Sequence, residues 1–101
     1  MNIILKDRLK ELRKLCESYN VRTMYVFGSV CTDLFKDDSD IDFLISFDTL
    51  SFDQYTDNYF ELHYKLEDLF NRRIDLLTES SLSNPYFIKV VENTKQLIYA
   101  A

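Results

Sequence analysis

The chain has a single glycine, Gly28, among its 101 residues. Glycine-rich phosphate loops need two or three glycines to bring backbone amides against phosphate, so the dinucleotide-binding and P-loop folds are excluded at once. Gly28 stands where the run Val21 to Phe27 gives way to Ser29. That run is filled with β-branched and aromatic residues and reads as a strand. A glycine at this point lets the backbone approach a ligand closely. A second strand starts at Asp40 and runs to about Phe47. Its alternation sends Ile41, Phe43, Ile45 and Phe47 to one face and Asp40, Asp42, Leu44 and Ser46 to the other.

Helical periodicity surrounds these strands. Leu5, Leu9, Leu12 and Cys16 recur at spacings of three and four, which predicts one amphipathic helix over residues 3–18, ended by Tyr19-Asn20. Residues 30–36 read as a short helical turn before the polar loop Lys36-Asp37-Asp38-Ser39. Tyr55, Tyr59, Leu62, Leu66 and Leu69 form one stripe of a helix over 53–70. A third strand, Ile74 to Thr78, follows Asn71-Arg72-Arg73. Asn84 caps a last helix with Pro85 at its first position, and Phe87, Ile88 and Val91 supply its buried face. Gln96 to Tyr99 closes the chain as a short strand. The order α-β-α-β-α-β-α-(β) predicts an α/β or α+β fold, a small sheet with helices packed on it, in one domain spanning 1–101.

Composition narrows the partners. The chain is 47% hydrophobic and 29% charged, which is globular, and its net charge of −5 leaves no extended nucleic-acid surface. Cys16 and Cys31 lie in no Cys-x-x-Cys or Cys/His grouping and read as reduced structural thiols. No apolar run suits a signal peptide or a membrane span, so the expected location is the cytoplasm.

The chemistry is carried by carboxylates. Asp40 and Asp42 project from the same strand face, roughly 6.5–7 Å apart along the strand. Such a pair suits hard divalent cations, and magnesium keeps waters and accepts substrate phosphates. Two ions would clamp an in-line displacement at phosphorus. Asp75, an acid between Ile74 and Leu76 in the third strand, completes the set as a metal ligand or as acceptor of the attacking hydroxyl's proton. Without a cation such a cluster is costly, because like charges raise one another's pKa. Gly28 and Ser29, at a strand-to-helix junction, form a phosphate cradle. Asp38, Asp40 and Asp42 also open a calcium-loop pattern, but its sixth and twelfth positions are Phe43 and Thr49 rather than Gly and Glu. His63, the only histidine, reads as a hydrogen-bonded residue at the core edge, and Arg72-Arg73 as the polar end of a helix. Phe60 and Tyr64 are either core margin or a partner-facing patch.

Phe27-Gly28-Ser29, ten residues, and then Asp40-Ile41-Asp42-Phe43 resembles the signature of the DNA polymerase beta-like nucleotidyltransferase superfamily. The flanking Ser39 through Ile45, the strand Ile74-Asp75-Leu76-Leu77, Asn84-Pro85 and the closing Leu97-Ile98-Tyr99 are most similar to its minimal nucleotidyltransferase (MNT) branch. The resemblance implies the nucleotidyltransferase fold, magnesium and a nucleoside triphosphate donor. It further implies the antitoxin half of a HEPN–MNT pair, moving AMP from ATP to a tyrosine of a helical HEPN-type ribonuclease partner. One departure stands out: the branch carries an Ala-Arg-Gly-like stretch after its Gly-Ser, and the corresponding residues here are Cys31-Thr32-Asp33. Triphosphate charge would then fall to Lys36, or to Arg72 and Arg73. The same departure keeps open a non-catalytic antitoxin that blocks its ribonuclease sterically. Transfer to an aminoglycoside-like small molecule is disfavoured, because 101 residues leave little for a second substrate domain.

Overall fold

Strand β1, Val21–Phe27, is the hub of the computed structural model, which describes residues 1–101. Strand β2, Ile41–Phe47, pairs antiparallel on one side of β1, and strand β4, Gln96–Ala100, pairs antiparallel on the other. Strand β3, Ile74–Thr78, joins the outer side of β2 in parallel, giving the order β3-β2-β1-β4. Parallel neighbours cannot be joined by a tight turn, and the β2–β3 connection carries the longest helix, α3, Phe52–Phe70. The mixed sheet and its helices are the α+β arrangement that the order of elements predicted.

The alternation of the strands decides which face is covered by what. Met24 and Val26 of β1, Ile41, Phe43 and Ile45 of β2, Ile74 and Leu76 of β3, and Ile98 of β4 share one buried cluster. Over it lie Leu12 and Cys16 of helix α2, Leu9–Ser18, and Leu62 and Leu66 of α3. Each fully buried side chain of this kind contributes about 1.5–3 kcal/mol relative to exposure. On the opposite face a smaller cluster joins Phe27, Leu44 and Val91, the last from helix α4, Pro85–Thr94. Leu44 shares the acids' side of β2, as the alternation predicted, but is fully buried in this cluster beside Val91.

The helix ends follow from their sequence. Ser51 accepts the Gln54 amide at 3.3 Å while the Gln54 side chain accepts the Ser51 amide at 3.4 Å, a reciprocal capping box for α3. Replacing Ser51 with Ala is expected to lower stability by about 0.5–2 kcal/mol, read as a lower denaturation midpoint with unchanged transfer activity. Asn71 closes α3 in the left-handed conformation, φ 49°. Asn84 Oδ1 accepts the amides of Tyr86 and Phe87, with Pro85 in the first position as predicted.

Three expectations change. The helix predicted over 3–18 is two pieces, α1, Ile3–Lys6, and α2, because the Arg8 amide bonds to the Leu5 carbonyl at 3.0 Å and tightens the turn between them. Leu5 and Leu12 are both fully buried across that turn, so packing sustains a break that no Gly or Pro announces. The turn predicted over 30–36 is a single 3₁₀ turn at Gly28–Cys31. Of the three α4 residues predicted to be buried, only Val91 is; Phe87 lies edge-on to Phe27 with ring centroids 6.0 Å apart and remains 39% exposed. Phe60 and Tyr64 are exposed rather than core margin. No helix is long and apolar enough to cross a membrane.

Candidate active site

Register places the acids. Asp42 is level with Phe27 of β1 on one side and with Asp75 of β3 on the other. Because side chains alternate along strands, in-register neighbours project from the same face, and Asp42 and Asp75 stand side by side on the α4 side of the sheet. Asp40 lies just before β2, half-buried, while Asp75 is exposed.

The electrostatics record this crowding. Burial, the charge of Asp75, the charge of Asp40 and a carboxyl–carboxyl interaction with Asp75 together push the Asp42 carboxyl up to about 6. An acid held that high is a group whose negative charge is unwelcome until something positive compensates it.

Gly28 is the other side of the same corner. It adopts φ +78°, and a Cβ placed on it would collide with the Asp42 carboxylate, lying 3.2 Å from Cγ. The glycine therefore serves two purposes, the left-handed turn out of β1 and the close approach of the backbone to Asp42. Ser29 follows in the first turn of the 3₁₀ segment. Its carbonyl accepts both the amide of Thr32, at 2.9 Å, and the Thr32 hydroxyl, at 2.8 Å. The Thr32 hydroxyl also accepts the Leu34 amide at 3.1 Å. Thr32 thus locks the turn at the place where the arginine of the branch pattern is missing.

Among the cations considered for triphosphate charge, Arg72 is already engaged. Its Nη1 donates to the carbonyls of Lys36, at 3.2 Å, and Ser39, at 2.8 Å, and its guanidinium carbon sits 4.6 Å from the centre of the Phe35 ring. Lys36 and Arg73 are exposed. The engagement of Arg72 has no signal in the sequence, because its partners lie more than thirty positions away. His63 behaves as expected, its Nε2 donating to the Ile74 carbonyl at 2.8 Å beside Glu67. Cys16 is a buried thiol pushed up to about 12 by burial and, secondarily, by Glu17, so it is chemically inert.

The structure thus brings together Gly28, Asp42 and Asp75, with Asp40 and Ser29 at the margins. The three acids do not close a ready three-ligand cage. Two facing carboxylates with a third beside them, all hard oxygen donors, suit a divalent cation whose other positions go to water and phosphate oxygens. The two largest clefts, about 490 Å³ between α2 and β4 and about 430 Å³ between α2 and α3, include none of these acids.

Comparison with known proteins agrees with this geometry. The nucleotidyltransferase domain family matches residues 5–98. A Thermococcus cleftensis protein adenylyltransferase, MntA, is 38% identical over 81 residues, covering 80% of this chain and 76% of its own. A Methanocaldococcus jannaschii relative, named as a candidate protein adenylyltransferase, is 32% identical over 96 residues, covering 94% of this chain and 93% of its own. Among solved structures, a minimal nucleotidyltransferase superposes with a TM-score of 0.69 at 26% identity, covering 95% of both chains. A toxin–antitoxin complex with AMP-PNP superposes with a TM-score of 0.71 at 23% identity, covering 92% of this chain and 73% of its own, and shares the fold. The sheet order, the paired acids beside Gly28 and these likenesses converge: the chain belongs to the nucleotidyltransferase domain family, as an enzyme of its minimal branch.

Proposed function

We propose that the chain transfers a nucleoside monophosphate, AMP from ATP, to a hydroxyl of a protein partner, a tyrosine on a helical HEPN-type toxin. The observation that carries the chemistry is the corner where Gly28 meets Asp42 and Asp42 meets Asp75. In this reading Asp40, Asp42 and Asp75 hold magnesium, one ion or two. When bound, magnesium neutralises the acids and polarises phosphoryl oxygens. Gly28 and Ser29 present the backbone turn to the triphosphate. The exposed Asp75 takes the proton of the attacking hydroxyl. The hydroxyl oxygen forms a bond to the α-phosphorus, the bond to pyrophosphate breaks, and pyrophosphate leaves with the charge.

A macromolecular acceptor is supported by shape. Asp75 is exposed, and neither of the two clefts described above is lined by the acids, whereas enzymes for small acceptors bury most of the ligand. Helix α4, on the same sheet face, leaves Tyr86, Phe87 and Val90 exposed. An aromatic surface beside the acids suits a protein that docks there. The relatives named above add the likeness to protein adenylyltransferases, and a Shewanella oneidensis MNT antitoxin bound to a tri-AMPylated HEPN toxin shares the fold, with a TM-score of 0.66.

A second reading is favoured by one observation. With Thr32 closing the turn and Asp33 next to it, no arginine follows Ser29 to meet triphosphate charge. Such a chain would neutralise its ribonuclease by binding alone. Incubation with labelled ATP, magnesium and the helical partner separates the two. Transfer predicts label on the partner with the wild-type chain and none with a folded Asp40→Asn/Asp42→Asn variant. Neutralisation without label, retained when all three acids are replaced, establishes the binding module instead.

A further inference from the structure

Asp40 is gripped from both sides by two consecutive residues of another part of the chain. The carbonyl just before it, that of Ser39, accepts Arg72 Nη1 at 2.8 Å. The amide just after it, that of Ile41, donates to the Arg73 carbonyl at 3.2 Å. The same Arg72 nitrogen also reaches the Lys36 carbonyl at 3.2 Å. Lys36 and Ser39 in turn close a tight loop, the Ser39 amide bonding to the Lys36 carbonyl and the Lys36 amide to the Ser39 hydroxyl. The carbonyls at the two ends of that loop therefore converge on one cation. The guanidinium is held in place by the Phe35 ring at 4.6 Å, and its Nε is buried without a partner, so its hold on the loop runs through Nη1 alone.

This arrangement is stronger than a helix end needs. Hydrogen bonds from a charged donor are about twice as strong as neutral ones, and a stacked guanidinium is orientationally fixed in a way that an ammonium is not. The loop Lys36–Ser39 is otherwise exposed, polar and acidic, with Asp37 and Asp38 at its tip. The β2 backbone and the Ile41–Arg73 bond place Asp40 from its C-terminal side; on its N-terminal side, the Arg72 contacts are the side-chain hydrogen bonds that tie the loop to a distant part of the chain.

We propose that Arg72 is a positioning residue for the metal site: by fixing the Lys36–Ser39 loop it holds Asp40 where its carboxylate joins Asp42 in gripping a divalent cation. This rests on the reading of Asp40 as a metal-holding acid. In this role Arg72 acts through the backbone that carries Asp40 rather than on nucleotide or acceptor. Groups that orient metal ligands typically change metal affinity 10–100-fold when removed.

The test is Mn²⁺ binding by titration calorimetry, in the presence of a non-hydrolysable ATP analogue, to the full chain and its variants. Arg72→Ala is expected to weaken Mn²⁺ binding roughly 10-fold or more, with an unchanged far-ultraviolet dichroism spectrum. Arg72→Lys, which keeps the charge and a donor but loses the planar stack, is expected to fall between the two. In transfer assays at saturating metal, the same variants are expected to lower kcat while leaving the KM for ATP within about threefold, the pattern of a misplaced group rather than a lost nucleotide contact. Phe35→Leu removes the stack without touching either carbonyl, is expected to act in the same direction, and carries the test if Arg72→Ala does not fold. Folded Arg72→Ala or Phe35→Leu chains that bind Mn²⁺ as tightly as wild type overturn the proposal. Asp40→Asn is the comparator. If it loses affinity while Arg72→Ala keeps it, the Arg72 assignment alone falls; if it too binds normally, Asp40 is no ligand and the site reading fails with it.

Discussion

Asp42→Asn is expected to abolish nucleotidyl transfer and, at neutral pH in the absence of metal, to make the chain more stable. The two effects have one cause. Asp42 is half-buried between Asp75 and Asp40, and its carboxyl is pushed from an ordinary value of 3.8 up to about 6. The folded chain therefore holds a proton that the unfolded chain releases near pH 4. Between about pH 4 and 6 the folded state binds more protons, so stability falls as pH rises through that window and the full penalty is present above it. The difference corresponds to an upper bound of about 3 kcal/mol, which solvent contact around a half-exposed group reduces to on the order of 1–2 kcal/mol. Asparagine carries no charge and escapes the penalty. Thermal unfolding at pH 8 should show the variant several degrees more stable, at about 4–8 °C per kcal/mol for a domain of this size. Near pH 4 the advantage should vanish. Transfer should fall roughly 10³-fold or more, as when a group that stabilises developing charge is removed. Magnesium should reverse the ranking, raising the midpoint of the wild type and not of the variant. Equal stability of the two chains at pH 8 would contradict the crowding of the three acids.

Gly28→Ala is expected to be strongly destabilising. Two independent terms act. At φ +78° an L-residue pays roughly 1–2 kcal/mol for the left-handed conformation. The new methyl also meets the Asp42 carboxylate head-on, and forcing extra volume into a close-packed contact typically costs about 1–3 kcal/mol. Together the loss is on the order of 2–5 kcal/mol, enough to threaten a domain with the usual marginal stability. A double-mutant cycle separates the terms. Asp42→Ala removes the carboxylate but leaves its Cβ, which lies 3.6 Å from the added methyl and in ordinary contact. In that background Gly28→Ala should cost only the backbone term, so denaturant titration of the four chains should give a coupling of about 1–3 kcal/mol. Additive costs would mean that the glycine serves the turn alone and not the approach to Asp42.

What the sequence disclosed is what period and chemistry disclose. The alternation of Ile41, Phe43 and Ile45 predicted the buried face of β2, and the same alternation put Asp42 on the other face. An acid between Ile74 and Leu76 was conspicuous because apolar neighbours made it so. Asn84-Pro85 and the stripe from Tyr55 to Leu69 marked helix limits through capping and spacing. The remainder depended on distances in space. That Gly28 abuts Asp42 follows from the register of β1 with β2, which no local pattern reports. The break after Lys6 is a packing solution between Leu5 and Leu12, two residues equally compatible with a continuous helix. The apolar residues of α4 looked like core, yet only Val91 is buried, beside Phe27 and Leu44, while Ile88 is half-buried and Phe87 exposed. Arg72 looked like a helix end because one end of its interaction is all that sequence shows.

The parallel pairing of β2 with β3 has a bearing on when the protein becomes an enzyme. Gly28, just past the end of β1, meets Asp42 of the antiparallel neighbour β2, and the two residues lie close together in the chain. Asp75 arrives only after the nineteen residues of α3 have folded back over the sheet. Closing such a long excursion is the slow part of making a sheet of this kind. A nascent chain that has emerged only as far as Phe70 carries Gly28, Asp40 and Asp42 but has no third acid. In the proposed reading of Asp75, transfer is expected only once β3 has paired with β2, so its onset would report that long-range pairing rather than the β1–β2 corner alone.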